Sequence, residues 1–327
     1  MPKNNNLTPA TLPMPLRFGE KPTTEFVNNL DSIKVTLLNY PTIDQLISSI
    51  IPFTNATWND DPIEVRDSMT MKEKLQNVYD AFHFKYLPQS LETVNLTFLI
   101  QGIDLQTVTH ILRNRVGFTF SAECSGDKWW THKRSLVPAS IENSPEFYER
   151  YKKLTQECKE LYCDMIDSKK ISIMDARHIL NRNLETYYLV NVNFLSLLNF
   201  FKQRIDKQIQ PEEDNVLAYK LYIETISKVP FAINTVNIHA PAMHYIKMAR
   251  TGKATNLYFP DKDSDTFEWN ENDFIYQCTR SEMNGTDGDN KPNHFDEIFK
   301  QVEQEINVNT IAAKAKLNHL AGEELNY

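Results

Sequence analysis

Apolar residues follow two different periods along this chain. The stretches IKVTLLNY, residues 33–40, and VNLTFLIQ, residues 94–101, are rich in β-branched residues and predict strands. In residues 42–51 and 64–86 the apolar residues instead recur every three or four positions, which predicts helices. The first hundred residues therefore predict a domain that mixes helices and strands.

Residues beyond position 103 predict mostly helices. Asp104 can accept hydrogen bonds from the free amides of a helical first turn, so a helix is expected over residues 105–116. Pro145 fits the first position of a long helix that runs to residue 168. The apolar side chains of this long helix, expected in the core, are Phe147, Tyr151, Leu154, Cys158, Leu161 and Met165. Further helices are predicted over residues 174–180, 193–208, 211–228 and 294–317.

Turn-forming residues divide the chain into three parts. Residues 1–32 are rich in Pro, Asn and Thr and predict an arm that can wrap a neighbouring subunit. Residues 279–293, TRSEMNGTDGDNKPN, precede the final helix, whose apolar face is expected to dock on the core or on a neighbouring subunit. We therefore expect a central domain over residues 33–230 and an α-rich extension over residues 231–327 that ends in an amphipathic helix.

The composition is typical of a globular protein. The chain has 327 residues, of which 41% are hydrophobic, which is enough to bury a sizeable core. Its formal net charge of −8 argues against binding to nucleic-acid duplexes, because such proteins need a basic face that displaces counterions. No window approaches the roughly 18 apolar residues of a membrane span, and the N-terminus has no apolar signal region, so neither a span nor a leader is expected.

The cysteines and aspartates predict no metal site. The cysteines are Cys124, Cys158, Cys163 and Cys278. They contain no CxxC pair, which argues against a zinc site or a disulfide framework and for a reducing cytoplasm. Asp261, Asp263 and Asp265 resemble the start of a calcium loop but lack its glycine and its final glutamate. Cys124 beside Ser125 has neither a GxSxG turn nor a dedicated base, so a nucleophilic role is disfavoured.

One charged residue falls inside an apolar stripe. On a helical wheel Arg204 lies in the same sector as Leu197, Phe200 and Phe201, whereas Asn199 points away. Burying a guanidinium costs several kcal/mol unless an anion or a set of acceptors meets it. Arg204 is therefore expected to meet a bound ligand, to form a structural ion pair with a protein carboxylate, or to extend towards the surface.

The polar residues around Arg204 keep a characteristic order. The residues of this order are Ala176, Arg177, Leu180, Asn183, Thr186, Asn193, Ser196, Leu197, Asn199, Phe200, Arg204, Gln210 and Glu212. They match, without a gap, a conserved block of the flavin-dependent thymidylate synthase family, which this segment resembles. The resemblance covers about residues 33–230.

A second block of the same family is matched with departures. The chain has Arg113-Asn114-Arg115 where the family has Arg-His-Arg, and two extra residues precede Glu123. Ser125-Gly126 keeps the family's Ser-Gly pair. The other differences are Asp127-Lys128 in place of Arg-Tyr, Pro88 in place of histidine, His110 in place of glutamine and Leu195 in place of arginine. Ser90 keeps the position of a family hydroxyl that contacts flavin.

The resemblance implies the family's fold and chemistry. We expect an α+β fold with a central, mostly antiparallel sheet flanked by helices, in a homotetramer whose sites lie between subunits. The expected reaction moves a methylene group from 5,10-methylenetetrahydrofolate to C5 of dUMP, and FAD reduced by NADPH supplies the hydride that completes the methyl group. No cysteine nucleophile is required for this chemistry.

The resemblance also implies roles for individual residues. Arg204 at the uracil ring and Glu123 beside the substrate are the expected catalytic residues, because an arginine on a pyrimidine carbonyl stabilises developing negative charge. The residues expected to bind the nucleotide are His110, Arg113, Ser125, Gly126, Arg177 and Arg204. The residues expected to bind the flavin are Ser90, Arg113, Asn114, Arg115, Glu123, Asn193, Asn199 and Gln208. The basic residues Lys128, Lys133 and Arg134 are expected either to contact phosphate or to face solvent.

The departures on the flavin side leave three functional hypotheses. The first is a divergent flavin-dependent thymidylate synthase. The second is a related enzyme that hydroxymethylates dUMP or dCMP, in which water instead of hydride meets the exocyclic methylene; the changes at Asn114, Pro88 and His110 would suit it. The third is a nucleotide- or flavin-binding protein without catalysis, in which residues 231–327 act through protein contacts.

Overall fold

The computed structural model describes residues 22–127, 129–205, 212–238 and 294–327. Its strands are β1 (Phe26–Asn28), β2 (Lys34–Asn39), β3 (Asn95–Ile103), β4 (Phe118–Ala122), β5 (Ser135–Val137) and β6 (Thr186–Asn193). Its helices are α1 (Asn29–Ser32), α2 (Ile43–Asn55), α3 (Pro62–Ser68), α4 (Met71–Phe82), α5 (Leu105–Ile111), α6 (Ala139–Glu142), α7 (Pro145–Asp167), α8 (Ile173–Ala176), α9 (Phe194–Arg204), α10 (Glu212–Lys228), α11 (Thr235–Ile238) and α12 (His294–Ala321). Short 3₁₀ helices cover Pro88–Thr93, Arg177–Ile179 and Pro230–Ala232. The aspartates of the incomplete calcium pattern and the turn-rich residues 279–293 lie outside the described residues.

Four strands form the central sheet in the order β2-β3-β6-β4, and every pairing between them is antiparallel. β3 and β6 pair along their whole length, from Asn95 opposite Asn193 to Ile103 opposite Thr186. β1 and β5 form a separate parallel pair. The predicted α+β fold with a mostly antiparallel central sheet is confirmed.

The main hydrophobic core lies between this sheet and its helices. Alternate residues of β3, Leu96, Phe98 and Ile100, are almost completely buried, as the two-residue period of a strand requires. The rings of Phe82 in α4 and Phe194 in α9 have centroids 4.6 Å apart and join these helices within the core. The site residues of α9 are therefore carried by a helix whose opposite side is fixed.

Side chains at the helix ends determine where several helices begin and stop. Asp104 accepts a hydrogen bond from the Thr107 amide at 2.9 Å and starts α5, as predicted. The stretch 64–86 is not one helix but two, because Thr70 and Glu73 form a capping box that starts α4. The helix predicted to reach residue 116 ends at Ile111, where the Asn114 amide donates to the carbonyl of Ile111 at 3.2 Å.

Two strands of the central sheet have no counterpart among the predicted elements. The run TYYLVNVN of β6 alternates buried and less buried positions. No strand was predicted there, because this region was identified only by its family motif. The run FTFSA of β4 is short and mostly accessible, so its apolar alternation gives little signal. Both strands matter for function, because they connect the two regions described below.

The long helix α7 does not bury the apolar side chains that were expected in its core. Phe147, Leu154 and Leu161 are 60%, 57% and 43% exposed. The buried residues of α7 are instead Thr155, Lys159, Tyr162 and Cys163. The prediction of ordinary core packing is therefore wrong for these three apolar residues, since a different side of α7 contacts the rest of the described chain.

Both ends of the described chain pack on the core. Ile298, Phe299 and Val302 of the predicted apolar face of α12 are buried against α10 and its neighbours. Leu30, within the predicted arm, is fully buried. The domain boundaries at residues 33 and 230 stay predictions. Among the helices described, none is long and apolar enough to cross a membrane.

Candidate functional site

A cavity of about 410 Å³ lies between the end of α5, the start of β4 and α9. Its lining consists of Arg113, Asn114, Arg115, Val116, Phe118, Ser196, Asn199, Lys202 and Gln203. Arg113, Asn114, Arg115 and Asn199 belong to the set that the sequence predicts at the flavin. The fold therefore brings together residues of the two separate sequence blocks.

The turn that forms one wall of the cavity packs tightly against the start of α9. Gly117 has a φ of +70°, and a Cβ there would lie 2.2 Å from Ser196 Oγ and 2.4 Å from Asn193 Nδ2. Only glycine combines this conformation with so close an approach. Asn193, another predicted flavin residue, caps α9 by accepting from the Ser196 amide at 2.8 Å. The Asn193 backbone amide also donates to the Gly117 carbonyl at 3.1 Å, so Asn193 ties Gly117 to the start of α9.

The cations of the cavity are available to a ligand. Arg113 and Arg115 are exposed, and neither forms a hydrogen bond or an ion pair with another of the described residues. Lys202 lies on the same face of α9 as Asn199, three residues later. Three cations around a cavity that also presents amide side chains favour an anionic, hydrogen-bonding ligand.

Arg204 lies in a buried ion pair beside this cavity. Its Nη1 donates to Asp214 Oδ2 at 3.0 Å, and its Nη2 donates to the carbonyl of His110 at 3.2 Å. The Asn114 amide approaches the same carbonyl at 3.5 Å, so the ion pair and the cavity meet at His110. Arg204 is buried and Asn199 is exposed, as the helical wheel predicts. The structural ion pair is therefore present, and the catalytic role of Arg204 stays a prediction.

Asp214 holds both predicted nucleotide residues of this cluster. Its Oδ2 lies 3.1 Å from Nδ1 of His110 and also accepts from Arg204. The Asn215 amide donates to the backbone carbonyl of Arg204 at 2.7 Å, which ties the end of α9 to α10. His110 and Arg204 are consequently oriented by one buried carboxylate.

The carboxyl groups around Asp214 affect one another. Burial raises the pKa of Glu213 to about 7, and the charges of Asp104, Glu212 and Asp214 add to the increase. Burial also raises the pKa of Asp104. The side-chain amide of Asn29 donates to Glu213. Glu213 is therefore partly protonated near neutral pH, which limits the negative charge gathered next to Asp214.

Glu123 is a buried carboxylate directly after the end of β4. It is 8% exposed, and its Oε2 accepts from Lys133 Nζ at 2.6 Å and from Thr186 Oγ1 at 3.4 Å. The Lys133 ammonium lies 5.5 Å from the centre of the Trp130 ring and 5.9 Å from that of the Tyr187 ring. The predicted catalytic carboxylate is consequently held by a lysine that is itself enclosed between two aromatic rings.

The predicted basic run has a different role from either one expected. Lys133 pairs with Glu123, and Arg134 Nε donates to Glu185 Oε2 at 2.7 Å. Protein carboxylates thus pair with both side chains, whereas the sequence led us to expect contact with phosphate or with solvent. Lys128 lies outside the described residues.

Ser125 and Gly126 form a loop against Arg177. A Cβ on Gly126 would lie 3.0 Å from Arg177 Nη1 and 2.3 Å from Met174 Sδ. Cys124 Sγ accepts from the Gly126 amide at 3.3 Å and lies 4.0 Å from Arg177 Nη1. The fold therefore brings together the three predicted nucleotide residues Ser125, Gly126 and Arg177.

Of the predicted flavin residues that the structure describes, Ser90, Glu123 and Asn193 do not line the cavity. Ser90 is 1% exposed, and its hydroxyl oxygen has no hydrogen-bond partner among the described residues. Gln208 lies outside those residues. All of the flavin assignments stay predictions.

The cavity and the Glu123 region lie at opposite ends of β4. Phe118 begins the strand and lines the cavity, whereas Glu123 directly follows its last residue. Because a strand rises about 3.3 Å per residue, the Cα atoms of Phe118 and Glu123 are about 17 Å apart. One chain therefore presents two separate regions.

Sequence reasoning missed Lys202, Gln203 and Asp214. A helical signal for Lys202 existed, because it lies three positions after Asn199. No such signal existed for Asp214, since its contact with His110 joins residues 104 positions apart in sequence.

Comparisons with known proteins identify the family of this chain. Residues 36–231 match the family model described as thymidylate synthase complementing protein. A flavin-dependent thymidylate synthase of Pyrococcus furiosus is 25% identical over 199 residues, which cover 59% of this chain and 78% of the relative. That of Pyrococcus abyssi is 25% identical over 203 residues, covering 60% and 80%.

A solved structure shares the fold. The UMP/dUMP methylase PolB from Streptomyces cacaoi, bound with 5-Br dUMP, has a TM-score of 0.52 and 14% sequence identity, and the match covers 66% of this chain and 97% of PolB. At this identity the likeness concerns the fold alone. The family model, however, spans more than half of the sequence. The chain therefore belongs to the thymidylate synthase complementing protein family.

Proposed function

We propose that this chain is a flavin-dependent thymidylate synthase that acts in the cytoplasm and transfers a one-carbon unit from 5,10-methylenetetrahydrofolate to C5 of dUMP. The observation that carries the proposal is the cavity, which gathers Arg113, Asn114, Arg115 and Asn199 from two sequence blocks. Its relatives from Pyrococcus bear the same functional name.

The cavity suits part of a flavin nucleotide. Arg113, Arg115 and Lys202 provide positive charge for phosphate, and Asn199 can donate to and accept from the polar edge of a ring. Phe118 adds an aromatic surface. FAD held by these residues and reduced by NADPH would supply the hydride that completes the methyl group. A volume of about 410 Å³ lies within the usual range for ligand cavities.

Arg204 acts on the pyrimidine in this proposal. Asp214 and the His110 carbonyl orient its guanidinium before the nucleotide binds. The Arg204 side chain keeps 11% of its surface exposed, and in this proposal a pyrimidine carbonyl meets that exposed part. Positive charge there stabilises the negative charge that develops on the carbonyl as C5 becomes nucleophilic.

The loop after β4 holds the nucleotide in this proposal. Arg177 and the Ser125 hydroxyl supply charge and a donor for the phosphate. Glu123, fixed by Lys133, provides an acceptor beside the substrate. Because this loop and the cavity are about 17 Å apart in one chain, we propose that each site combines the cavity of one subunit with the loop of another, in a homotetramer.

The test is the product formed by the purified full-length chain. The chain is incubated with dUMP or dCMP, 5,10-methylenetetrahydrofolate and FAD, with and without NADPH. The mass of the nucleotide is then measured by mass spectrometry. We expect dUMP to gain one methylene unit, and only with NADPH. A gain of one formaldehyde unit without NADPH would instead identify the hydroxymethylase. If neither nucleotide gains mass and the protein still binds flavin, the non-catalytic hypothesis is correct.

A further inference from the structure

Lys159 is a lysine with an unusual environment. It lies in the middle of α7, is 1% exposed, and forms no ion pair with any carboxylate of the described chain. Burial lowers the pKa of its ammonium to about 8. A buried amine of this kind destabilises the folded state relative to an apolar side chain of similar volume. The hydrogen bond that the Lys159 amine makes therefore indicates the role of this buried lysine.

The amine of Lys159 donates to the backbone carbonyl of Lys133. The Lys133 amide donates to the carbonyl of Trp130 at 3.2 Å, so the backbone of Lys133 is fixed from both sides. The Lys133 side chain then runs to Glu123 Oε2, at 2.6 Å. Two hydrogen bonds thus connect the buried lysine of α7 to the carboxylate after β4.

We propose that Lys159 is a positioning residue for Glu123: it fixes the backbone of Lys133, and the Lys133 ammonium in turn fixes the Glu123 carboxylate beside the nucleotide. The inference rests on the proposed function, because it takes Glu123 to be the group beside the substrate. Lys159 itself does not touch the carboxylate. Its effect on the reaction passes through Lys133 alone.

The size of the expected effect follows from geometry. Without the Lys159 donor, the backbone of Lys133 loses the contact that faces α7, and the Lys133 ammonium shifts with it. A displacement of a catalytic group by about 1 Å can reduce turnover by up to roughly 100-fold. Because Lys159 acts on Glu123 only through Lys133, its substitution is expected to reduce turnover less than substitution of Lys133 does.

Three variants of the full-length chain separate positioning from packing. Lys159→Met keeps the aliphatic volume and removes the donor, and we expect it to lower kcat with dUMP by about 10-fold with KM changed less than about twofold. Lys133→Met is expected to lower kcat by about 100-fold. Lys153→Met, at an exposed lysine of the same helix whose side chain is 77% accessible, is the matched control and is expected to match the wild type.

The double variant Lys159→Met/Lys133→Met gives the decisive comparison. If Lys159 acts through Lys133, the double variant has the kcat of Lys133→Met alone, because the second contact no longer exists. Multiplication of the two losses to about 1000-fold would overturn the proposal, since Lys159 would then act independently. If Lys159→Met fails to fold, Lys159→Leu, which also lacks a donor, replaces it in the same comparison.

Hydrogen–deuterium exchange provides a readout that does not need turnover. We expect faster exchange of the peptide spanning residues 129–134 in Lys159→Met but not in Lys153→Met. Unchanged exchange would overturn the proposal. If the wild type converts neither nucleotide while exchange responds as expected, the proposed function fails but the structural connection from Lys159 to Glu123 stands.

Discussion

Arg204, which contacts the His110 carbonyl, and the cavity residues Arg113 and Arg115 differ in whether a protein carboxylate pairs with them. Arg204 is buried and paired with Asp214, and it also contacts the His110 carbonyl. Arg113 and Arg115, a few residues further along, are exposed at the cavity and pair with none of the residues that the structure describes. Arg204 and the two cavity arginines were predicted from two separate sequence blocks of one family.

The difference shows whether the interaction energy of an arginine contributes to the stability of the fold or to the binding of a ligand. A buried arginine that is paired in the folded chain is part of the fold, and its removal leaves the partner carboxylate uncompensated. An exposed arginine without a protein partner gains most of its interaction energy when an anionic ligand arrives. Substitutions on the buried side should therefore affect stability and function together, whereas those at the cavity should affect binding alone.

The largest effect is expected from Arg204→Ala. It leaves the Asp214 carboxylate buried without its partner, so the free energy of unfolding should fall by about 3–5 kcal/mol, and turnover of dUMP should be lost. Urea denaturation and the product assay measure the two effects. The double variant Arg204→Met/Asp214→Leu should regain most of the stability but no turnover. An Arg204→Ala protein as stable as the wild type would contradict the structural half of the comparison.

The next largest effect is the pH dependence of the free energy of unfolding, which Glu213, beside the Arg204–Asp214 ion pair, should cause. Because the pKa of Glu213 is raised to about 7 in the folded state, the folded protein keeps a proton that the unfolded chain releases. Its contribution to stability is therefore present below about pH 4.5 and is lost as the pH rises towards 7. The change is up to about 3 kcal/mol for this shift.

Glu213→Gln isolates this contribution. Its free energy of unfolding should fall less than that of the wild type between pH 4.5 and pH 7, as followed by urea denaturation across that range. Glu146→Gln, at an exposed position of α7, serves as the control and should behave as the wild type does. Parallel pH curves for Glu213→Gln and the wild type would rule out Glu213 as the source.

At the cavity, Arg113→Ala and Arg115→Ala are expected to weaken flavin binding without changing the fold. The loss of one charge-assisted contact corresponds to a rise in Kd of about 10- to 100-fold, whereas the free energy of unfolding should stay within about 0.5 kcal/mol of the wild type. Flavin fluorescence titration and thermal unfolding test both. Arg150→Ala, at an exposed arginine of α7, is the control. A marked loss of stability in either cavity variant would remove the distinction between the two regions.

The smallest effect is expected from Lys202→Met. Lys202 adds charge at the rim of the cavity, where solvent screens it, so the Kd for flavin should rise only about two- to fivefold. The salt dependence of flavin binding should also weaken, which titrations at low and high ionic strength measure. Lys153→Met should leave both quantities unchanged. An unchanged Kd and salt slope for Lys202→Met would exclude this residue from the binding site.

Local side chains account for the parts of the fold that the sequence predicted well. Asp104 starts α5, and Asn193 starts α9, through hydrogen bonds that span three residues. The burial of Arg204 and the exposure of Asn199 follow from the helical period alone. These features depend on near neighbours in the chain, so the sequence determined them.

The roles of the charged residues depended on tertiary structure. The sequence predicted that Arg204 lies in an apolar stripe but did not identify the group that it pairs with. Only the packing of α10 against α9 brings Asp214 to Arg204. Likewise the basic run could not reveal that Lys133 holds Glu123 or that Lys159 holds Lys133. These contacts join residues 10 and 26 positions apart, on elements whose approach is set by the packing of the whole domain.

The same reason explains the error at α7 and the division of the site. Periodicity shows that a helix has an apolar side, but only the packed structure shows which side is covered, and here it covers Lys159 and leaves Leu154 exposed. The motifs predicted a nucleotide set and a flavin set, and in one chain β4 separates the described members of these sets into two regions about 17 Å apart. The sequence determined the family and the residue types of the site, whereas long-range packing decided which charges serve the fold and which remain for a ligand.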